Sequence, residues 1–298
     1  MQSIVVSDDL LLWSELVFLW SFFSYAIASD PLPEDRQGKH FNWQAWRNVL
    51  IGRVIGVAFL TGLVTHSVVL ISWLAAAATI HPWIRLRSPL KWTAELEVAA
   101  VISNLFFLFA FVKHFHLQSH VPAFSTLDRG QITAISIVIA ILLFVVRGGT
   151  YVVRGCLRKT GTLPHLPNGK PASSNTAAPG EESFPSKKQS KHSHPSLPMS
   201  ASAGANSMDI TEINRGRLIG NLERLVLTVV VAAGSYAALA FLVAAKGLVR
   251  SEKLHDPDFA EYFLIGSLAS VLVALCAGMV IRFALSVLWP DLLSLHIQ

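Results

Sequence analysis

Long apolar runs separated by shorter polar segments dominate the chain. An α-helix rises 1.5 Å per residue, so about 20 apolar residues are needed to cross a hydrocarbon core about 30 Å thick. Because lipid leaves no partner for unsatisfied backbone groups, such runs favour helices. We therefore predict an all-α fold, a multi-pass transmembrane helical bundle of about six spans. The predicted spans are Leu10–Ala28, Val49–Ile80, Thr93–His116, Ile132–Val153, Leu225–Ala245 and Tyr262–Ile281.

The first predicted span has an alternative interpretation as a cleaved signal peptide. Residues 26–28, Ala-Ile-Ala, resemble a small-residue cleavage site. However, the stretch before the apolar run carries Asp8 and Asp9 and no Lys or Arg, whereas a signal peptide begins with a positively charged region. We expect the segment to be retained as a membrane helix.

A polar segment divides the apolar runs into two groups. Residues 157–213 are rich in Pro, Ser, Ala, Gly, Lys and His and hold few large apolar side chains. Such a composition buries too little surface to offset the entropy lost on folding, so we predict a long disordered loop. The predicted regions are 1–156, an N-terminal membrane region with about four helices, 157–213, a basic cytoplasmic linker, and 214–298, a C-terminal transmembrane helical hairpin.

Composition supports membrane insertion over a soluble fold. Of the 298 residues 52% are hydrophobic and 14% are charged, whereas soluble domains carry about 25% charged residues. The net charge of +5 fits basic loops beside anionic lipid, and no nucleic-acid partner is expected. With six spans both termini share one side, and placing them in the cytoplasm puts more Lys and Arg inside. We predict a multi-pass membrane protein with both termini in the cytoplasm.

Polar side chains within predicted spans are candidates for function, because burying them in lipid is costly. Glu15 could pair with a cation of a neighbouring helix or line a polar pathway. His66, in the middle of the second predicted span, could be a hydrogen-bonded neutral histidine or part of a proton relay. Asn104 and Arg147 also lie within predicted spans.

Charges flank the two C-terminal apolar runs in a pattern that suits a clamped hairpin. Opposite charges there can pair at the membrane interface, while snorkelling and helix starting are the simpler explanation. The charges are Glu223, Arg224, Lys246, Arg250 and Glu261.

Two GxxxG motifs open the second and fifth predicted spans. Gly52 and Gly56 form the first, and Gly216 and Gly220 the second. Small residues four apart let helix backbones approach closely. Their equivalent places suggest an inverted repeat of three spans each, with chance similarity as the alternative.

The best candidate metal ligands are His114, His116 and His120, ahead of the linker pair His192 and His194. His116 and His120 are four apart and would share a face of a helix, but no acidic ligand lies nearby. The chain has no GxGxxG, P-loop, HExxH or GxSxG motif, so we assign no catalytic residue and expect no cofactor.

The C-terminal third resembles a family of uncharacterised bacterial inner-membrane proteins, a domain of unknown function. The resemblance rests on GRLIGNLER at 216–224, AAKGLVR at 244–250 and FAEYFLIGSLASVLVAL at 259–275. It covers about a quarter of the chain and implies a bacterial inner-membrane location, with no activity attached. The matching positions are Gly216, Gly220, Glu223, Arg224, Lys246 and Glu261.

Three functions remain open on the sequence alone. Charges within the spans favour a role in small-molecule or ion transport, or as a channel. The basic linker and small-residue faces favour a membrane scaffold or sensor subunit that binds protein partners or a second copy of the chain. A membrane-embedded enzyme is the third alternative, and in every case the lipid bilayer is a partner.

Overall fold

A computed structural model describes residues 7–27, 43–87, 92–119, 127–160, 210–249, 251–255 and 257–294. The chain divides into two units, one formed by residues 1–163 and 217–298 and the other by 164–216. The second unit is described only at 210–216, and most of the predicted disordered linker lies outside the described residues.

The described residues are 92% helical and contain no strand. This confirms the all-α prediction. The helices are α1 Asp8–Ser21, which continues into a π-helical turn Phe22–Ala26, α2 Trp43–Val64, α3 Val68–Arg87, α4 Thr93–Phe115, α5 Arg129–Leu143, a second π-helical turn Phe144–Gly148, α6 Gly149–Thr160, α7 Ile210–Ala232, α8 Tyr236–Val249, a 3₁₀ turn Ser251–His255, α9 Pro257–Leu288 and α10 Pro290–Ser294.

Five of the described helices are long and apolar enough to cross a membrane. They confirm the third, fourth and sixth predicted spans, and together they identify an integral membrane protein. The five are Trp43–Val64, Val68–Arg85, Thr93–Phe115, Arg129–Thr160 and Ala260–Leu288. The first predicted span forms α1 and its π-helical turn, which supply much of the core, including Leu12, Leu16 and Trp20.

The second predicted span is wrong as a single helix. Thr65–Ser67 interrupt it, so that α2 and α3 form an antiparallel hairpin in which Gly62 packs against Ile71. One helix over 49–80 would be about 48 Å long, far more than a bilayer core requires. His66 therefore lies exposed at the turn, not in the middle of a span.

The fifth predicted span is also wrong as a single helix. α7 ends at Ala232 and Gly234 adopts a left-handed conformation with φ 76°. The amide of Ser235 donates to the Val230 carbonyl (3.0 Å) and that of Gly234 to the Val231 carbonyl (2.9 Å), which is a Schellman cap. α8 then has 14 residues, or about 21 Å, which is short for a full crossing.

The starts of α1 and α5 meet the end of α4 at one end of the bundle, here called the Asp8 end. Asp8 forms an ion pair with Arg129, and the Nδ1 atom of His116 lies 4.0 Å from the Oδ2 atom of Asp9. The turn between α2 and α3 lies at this end too. α3 starts from that turn and runs to the other end of the bundle, where Arg85 contacts Glu97.

The opposite end, here called the Glu97 end, collects the end of α3 and of α6 and the start of α4. Lys159 Nζ lies 2.5 Å from Glu95 Oε1, and Arg158 donates to the Thr93 hydroxyl at 3.3 Å. A Cβ atom at Gly266 would lie 3.7 Å from Leu157, so the start of α9 belongs here as well. The helices therefore alternate in direction through the bundle.

Candidate functional site

A buried carboxylate at the Glu97 end gathers polar side chains from three helical elements. His81 and Arg85 are four residues apart on α3 and share one face. Glu97 lies just over one turn into α4, and Tyr25 lies in the π-helical turn after α1. We call these four residues the Glu97 cluster.

The carboxylate of Glu97 accepts four hydrogen bonds within this cluster. Its Oε1 atom lies 2.7 Å from Arg85 Nη2 and 2.8 Å from the Tyr25 hydroxyl. Its Oε2 atom lies 2.8 Å from Arg85 Nε and 3.1 Å from His81 Nε2. A carboxylate offers about four acceptor sites, and the guanidinium engages both oxygens at once, so Glu97 is saturated.

All four residues of the Glu97 cluster are buried. The exposed fraction is 2% for Glu97, 5% for Arg85, 4% for His81 and 1% for Tyr25. At such burial an ion pair is stable only when its geometry is good and its remaining polar atoms find partners. The bidentate contact meets the first requirement.

Aromatic rings enclose the guanidinium of Arg85. Its central carbon lies 4.3 Å from the ring centroid of Tyr151 and 5.0 Å from that of Tyr25. Guanidinium groups are attracted to the faces of such rings, and the attraction grows when water is absent. On the other side of the cluster, the indole of Trp20 stacks on His81 at a centroid distance of 5.4 Å. The cation is therefore held by neutral π-systems as well as by Glu97.

Irregular backbone positions the cluster. Widening of the helix at Phe22–Ala26 is the kind of π-bulge that often marks functional sites, and Arg85 Nη1 lies 3.4 Å from the Ser24 carbonyl in this turn. Pro82, next to His81, has no amide hydrogen to donate, so α3 lacks one intrahelical hydrogen bond beside the cluster. The second π-helical turn packs here too, since the Phe144 ring lies 5.8 Å from that of Tyr25.

A second buried cation, Arg224 of α7, is held by neutral oxygens. Its Nε atom donates to the Val145 carbonyl (3.2 Å), and its Nη2 atom lies 2.6 Å from the Thr150 hydroxyl and 2.5 Å from the Asn221 amide oxygen. Val145 belongs to the second π-helical turn. Arg224 therefore joins α7 to the α5–α6 helix.

The predicted hairpin charges separate in the structure. Lys246 Nζ lies 2.6 Å from Glu223 Oε1, which links α8 to α7. Arg224 turns away toward α5–α6, and Glu261 is exposed on α9. Arg250 lies outside the described residues. The ion pair that forms therefore joins two charges predicted at opposite ends of the fifth span, which the break at Gly234 brings together.

The other polar residues predicted within the membrane lie apart from the Glu97 cluster. Glu15 is 8% exposed and accepts a hydrogen bond of 2.6 Å from the Ser119 hydroxyl. Asn104 accepts from Trp73 Nε1 at 3.0 Å, and its Nδ2 atom finds no acceptor among the described residues. Arg147 is half-buried in the second π-helical turn.

The predicted histidine metal site is only partly described. α4 ends at Phe115 and His116 is left-handed with φ 47°, so the helical face that His116 was to share is interrupted. His114 and His116 are both exposed, and His120 lies outside the described residues. No group of three or more His, Cys, Asp or Glu suited to a metal occurs among the residues described.

At the three GxxxG glycines whose surroundings are described, open space or a side chain, and not the backbone of another helix, lies nearest. A Cβ atom at Gly52 would meet nothing within 4 Å, while one at Gly56 would lie 2.6 Å from the ring of Phe23. Gly220 faces Arg224 of its own helix, and the surroundings of Gly216 lie outside the described residues. The surroundings of the glycines differ between the two motifs. They therefore do not support the predicted inverted repeat of three spans.

Sequence reasoning missed the Glu97 cluster because its members lie at the ends of apolar runs, where charged residues are common. The pattern of apolar runs assigns no role to Arg85 or to Glu97. One signal in the sequence could have indicated the cluster. His81 and Arg85 are four residues apart near the end of one helix, and Glu97 follows near the start of the next. Antiparallel neighbours joined by a short connection bring such positions level with each other.

Comparison with known proteins adds no relative. No family model, no curated protein and no solved structure matches the chain.

Proposed function

We propose that this integral membrane protein is a non-catalytic scaffold, whose buried charges hold its helices together and do not conduct a substrate. The observation that carries the proposal is the saturation of Glu97. A carboxylate in a transport pathway needs an oxygen that can bind a cation or a proton, and a general base needs a free lone pair. All four contacts on Glu97 come from the chain itself.

Transport is the second candidate, and Glu15 is the residue that favours it. This carboxylate is buried in α1, and a serine hydroxyl is its hydrogen-bond partner. A buried carboxylate without a neighbouring cation can exchange a proton more readily than one in a bidentate pair. If the chain moves protons or cations, Glu15 is the best-placed group described.

Flux in proteoliposomes distinguishes the two proposals. We expect the wild-type chain to give no proton or cation flux above that of empty liposomes, because the acceptor sites of Glu97 are all occupied by contacts from the chain itself. The comparison is with Glu15→Gln, reconstituted at the same protein-to-lipid ratio and checked for helical content. Flux above background that this substitution abolishes, with the fold intact, would replace the scaffold proposal by transport.

The scaffold proposal also requires a partner, which cross-linking in native membranes can detect. We propose that the 157–213 segment contributes to binding of a protein partner or of a second copy. The comparison is between the full chain and a chain in which residues 170–205 are replaced by a Gly/Ser sequence of equal length. A discrete cross-linked product seen with the full chain alone supports the proposal, and identical products in both oppose it.

We further propose that the Glu97 end faces the cytoplasm and that both termini lie on the other side. The expectation of cytoplasmic termini rested on six spans, but α2 and α3 are separate helices. The π-helical turn after α1 therefore lies at the same end as the end of α6, the Glu97 end. Cationic residues near helix ends resist translocation. Among the described residues, the Asp8 end holds Lys113, Arg129 and Arg282, whereas the Glu97 end holds Arg47, Arg85, Arg87, Arg154, Arg158, Lys159 and Lys246.

Cysteine labelling in intact cells tests this orientation. In a background of Cys156→Ser and Cys276→Ser, we expect a membrane-impermeant maleimide to label His66→Cys, at the Asp8 end, without lysis. Thr160→Cys, at the Glu97 end, is the matched position and should react only after lysis. Labelling of Thr160→Cys without lysis, and of His66→Cys only after lysis, would instead place both termini in the cytoplasm.

Membership of the C-terminal region in a bacterial inner-membrane family stays a proposal. Its support is the sequence resemblance at 216–224, 244–250 and 259–275.

A further inference from the structure

An open apolar groove runs between α2 and α3 on the outer surface of the bundle. Its volume is about 370 Å³, within the range of small-molecule sites. Ile51 and Ile80 form its exposed apolar walls, and Trp46 and Trp83 also line it. Since α2 begins and α3 ends here, the groove lies near the Glu97 end.

The one charged side chain in the groove lining is Arg47. It is exposed, and no hydrogen bond, ion pair or ring contact joins it to another residue in the described part of the chain. Arginine binds phosphate oxygens through two parallel N–H groups. An unpartnered guanidinium at the head of an apolar groove is therefore complementary to a molecule with a phosphate at one end and a hydrocarbon tail.

The tryptophans of the groove indicate its level in the membrane. Indole rings concentrate at the boundary between hydrocarbon and headgroups, where one edge can be wet and the face apolar. Arg47 immediately follows Trp46 and thus lies at headgroup level, while Ile51 is one turn further along α2 toward the hydrocarbon. A phospholipid in the adjacent leaflet has the matching order of groups, with its phosphate at the level of Arg47 and its acyl chains at the level of Ile51.

We propose that this groove binds an anionic phospholipid, with its phosphate on Arg47 and part of one acyl chain between Ile51 and Ile80. The cytoplasmic leaflet of a membrane is rich in anionic lipid. The proposal agrees with the orientation proposed above but does not need it, because binding is tested on the purified protein. The expected preference is for phosphatidylglycerol over phosphatidylcholine with identical acyl chains.

Native mass spectrometry of the full-length protein, given an equimolar mixture of these two lipids in detergent, tests the proposal. A single cation near a membrane surface changes lipid affinity by about fivefold. We therefore expect Arg47→Gln to lower the ratio of phosphatidylglycerol to phosphatidylcholine adducts by about fivefold. Lys113→Gln is the matched control, since this exposed cation lies at the Asp8 end, and it should leave the ratio unchanged.

A second variant separates the tail site from the phosphate site. Ile51→Trp places a bulky ring in the groove and should reduce adducts of both lipids, while inorganic phosphate should not displace them. An unchanged lipid ratio in Arg47→Gln, or an equal fall in Lys113→Gln, would overturn the proposal. So would a dimer that Ile51→Trp dissociates, because the groove would then hold a second copy of the chain.

Discussion

Glu97→Gln is expected to lower the free energy of unfolding by about 3–5 kcal/mol. The substitution keeps the shape of the side chain but removes the negative charge, so the guanidinium of Arg85 stays buried without an anion. Neutral rings of Tyr25 and Tyr151 offset only part of that loss. The measurement is equilibrium unfolding of the purified protein by SDS titration in detergent micelles, followed by circular dichroism.

Glu95→Gln is the matched control for this prediction. It removes the same charge two residues away on α4, but from an exposed pair with Lys159, where water screens the interaction. We expect little change in its unfolding curve. Equal destabilisation of both variants would show that general charge loss at the Glu97 end, and not the buried pair, explains the effect.

Replacing both charges separates an unpaired buried cation from lost packing. Removing a complete buried pair is often tolerated when apolar groups of similar volume fill the space. We expect Arg85→Met with Glu97→Leu to unfold at a higher SDS fraction than Glu97→Gln alone. If the double variant is the less stable of the two, the cluster stabilises the fold through its hydrogen bonds more than through charge balance.

Gly155→Ala is expected to destabilise the bundle by about 1–3 kcal/mol, because it overpacks the contact between α6 and α4. A Cβ atom at Gly155 would lie 2.5 Å from the backbone nitrogen of Ala94 and 2.6 Å from its Cβ atom. Backbone cannot move aside as a flexible side chain can, so the two helices must separate. Loss of folded protein on size-exclusion chromatography and an earlier SDS midpoint would report the effect.

Gly52→Ala supplies the comparison, since it makes the same chemical change within a helix. No atom lies within 4 Å of a Cβ at Gly52, so the substitution gains helix propensity, up to about 1 kcal/mol, without a clash. We expect equal or higher stability. A Gly155→Ala variant as stable as Gly52→Ala would mean that α4 and α6 do not approach as closely as described.

These contacts also bear on how the chain could work. The Glu97 cluster ties α1, α3 and α4 together, and Arg224 ties α7 to α5–α6. Elements held by buried, directional contacts resist independent movement, which suits a scaffold. Alternating access, in contrast, needs groups of helices that rock against each other.

The sequence determined the class of this protein because hydrophobic burial depends on composition and run length alone. The apolar runs over 93–116, 132–153 and 262–281 each form a helix at the predicted place. The sequence also contains signals for the two helix interruptions that were not predicted, in the second and fifth spans. Gly234 occupies a left-handed cap, and a helix over the whole of 49–80 would exceed any bilayer core.

Only the tertiary structure decided which polar groups meet. Glu15, Glu95 and Glu97 look alike in the sequence, yet one accepts from a hydroxyl, one forms an exposed ion pair, and one is saturated by a buried cluster. The difference arises because ion pairs and close helix contacts depend on register and rotation between segments far apart in the chain. In a helix that is apolar on all sides, hydrophobic periodicity does not indicate which face turns toward the neighbouring helices. The rotation of these helices is therefore decided by their packing.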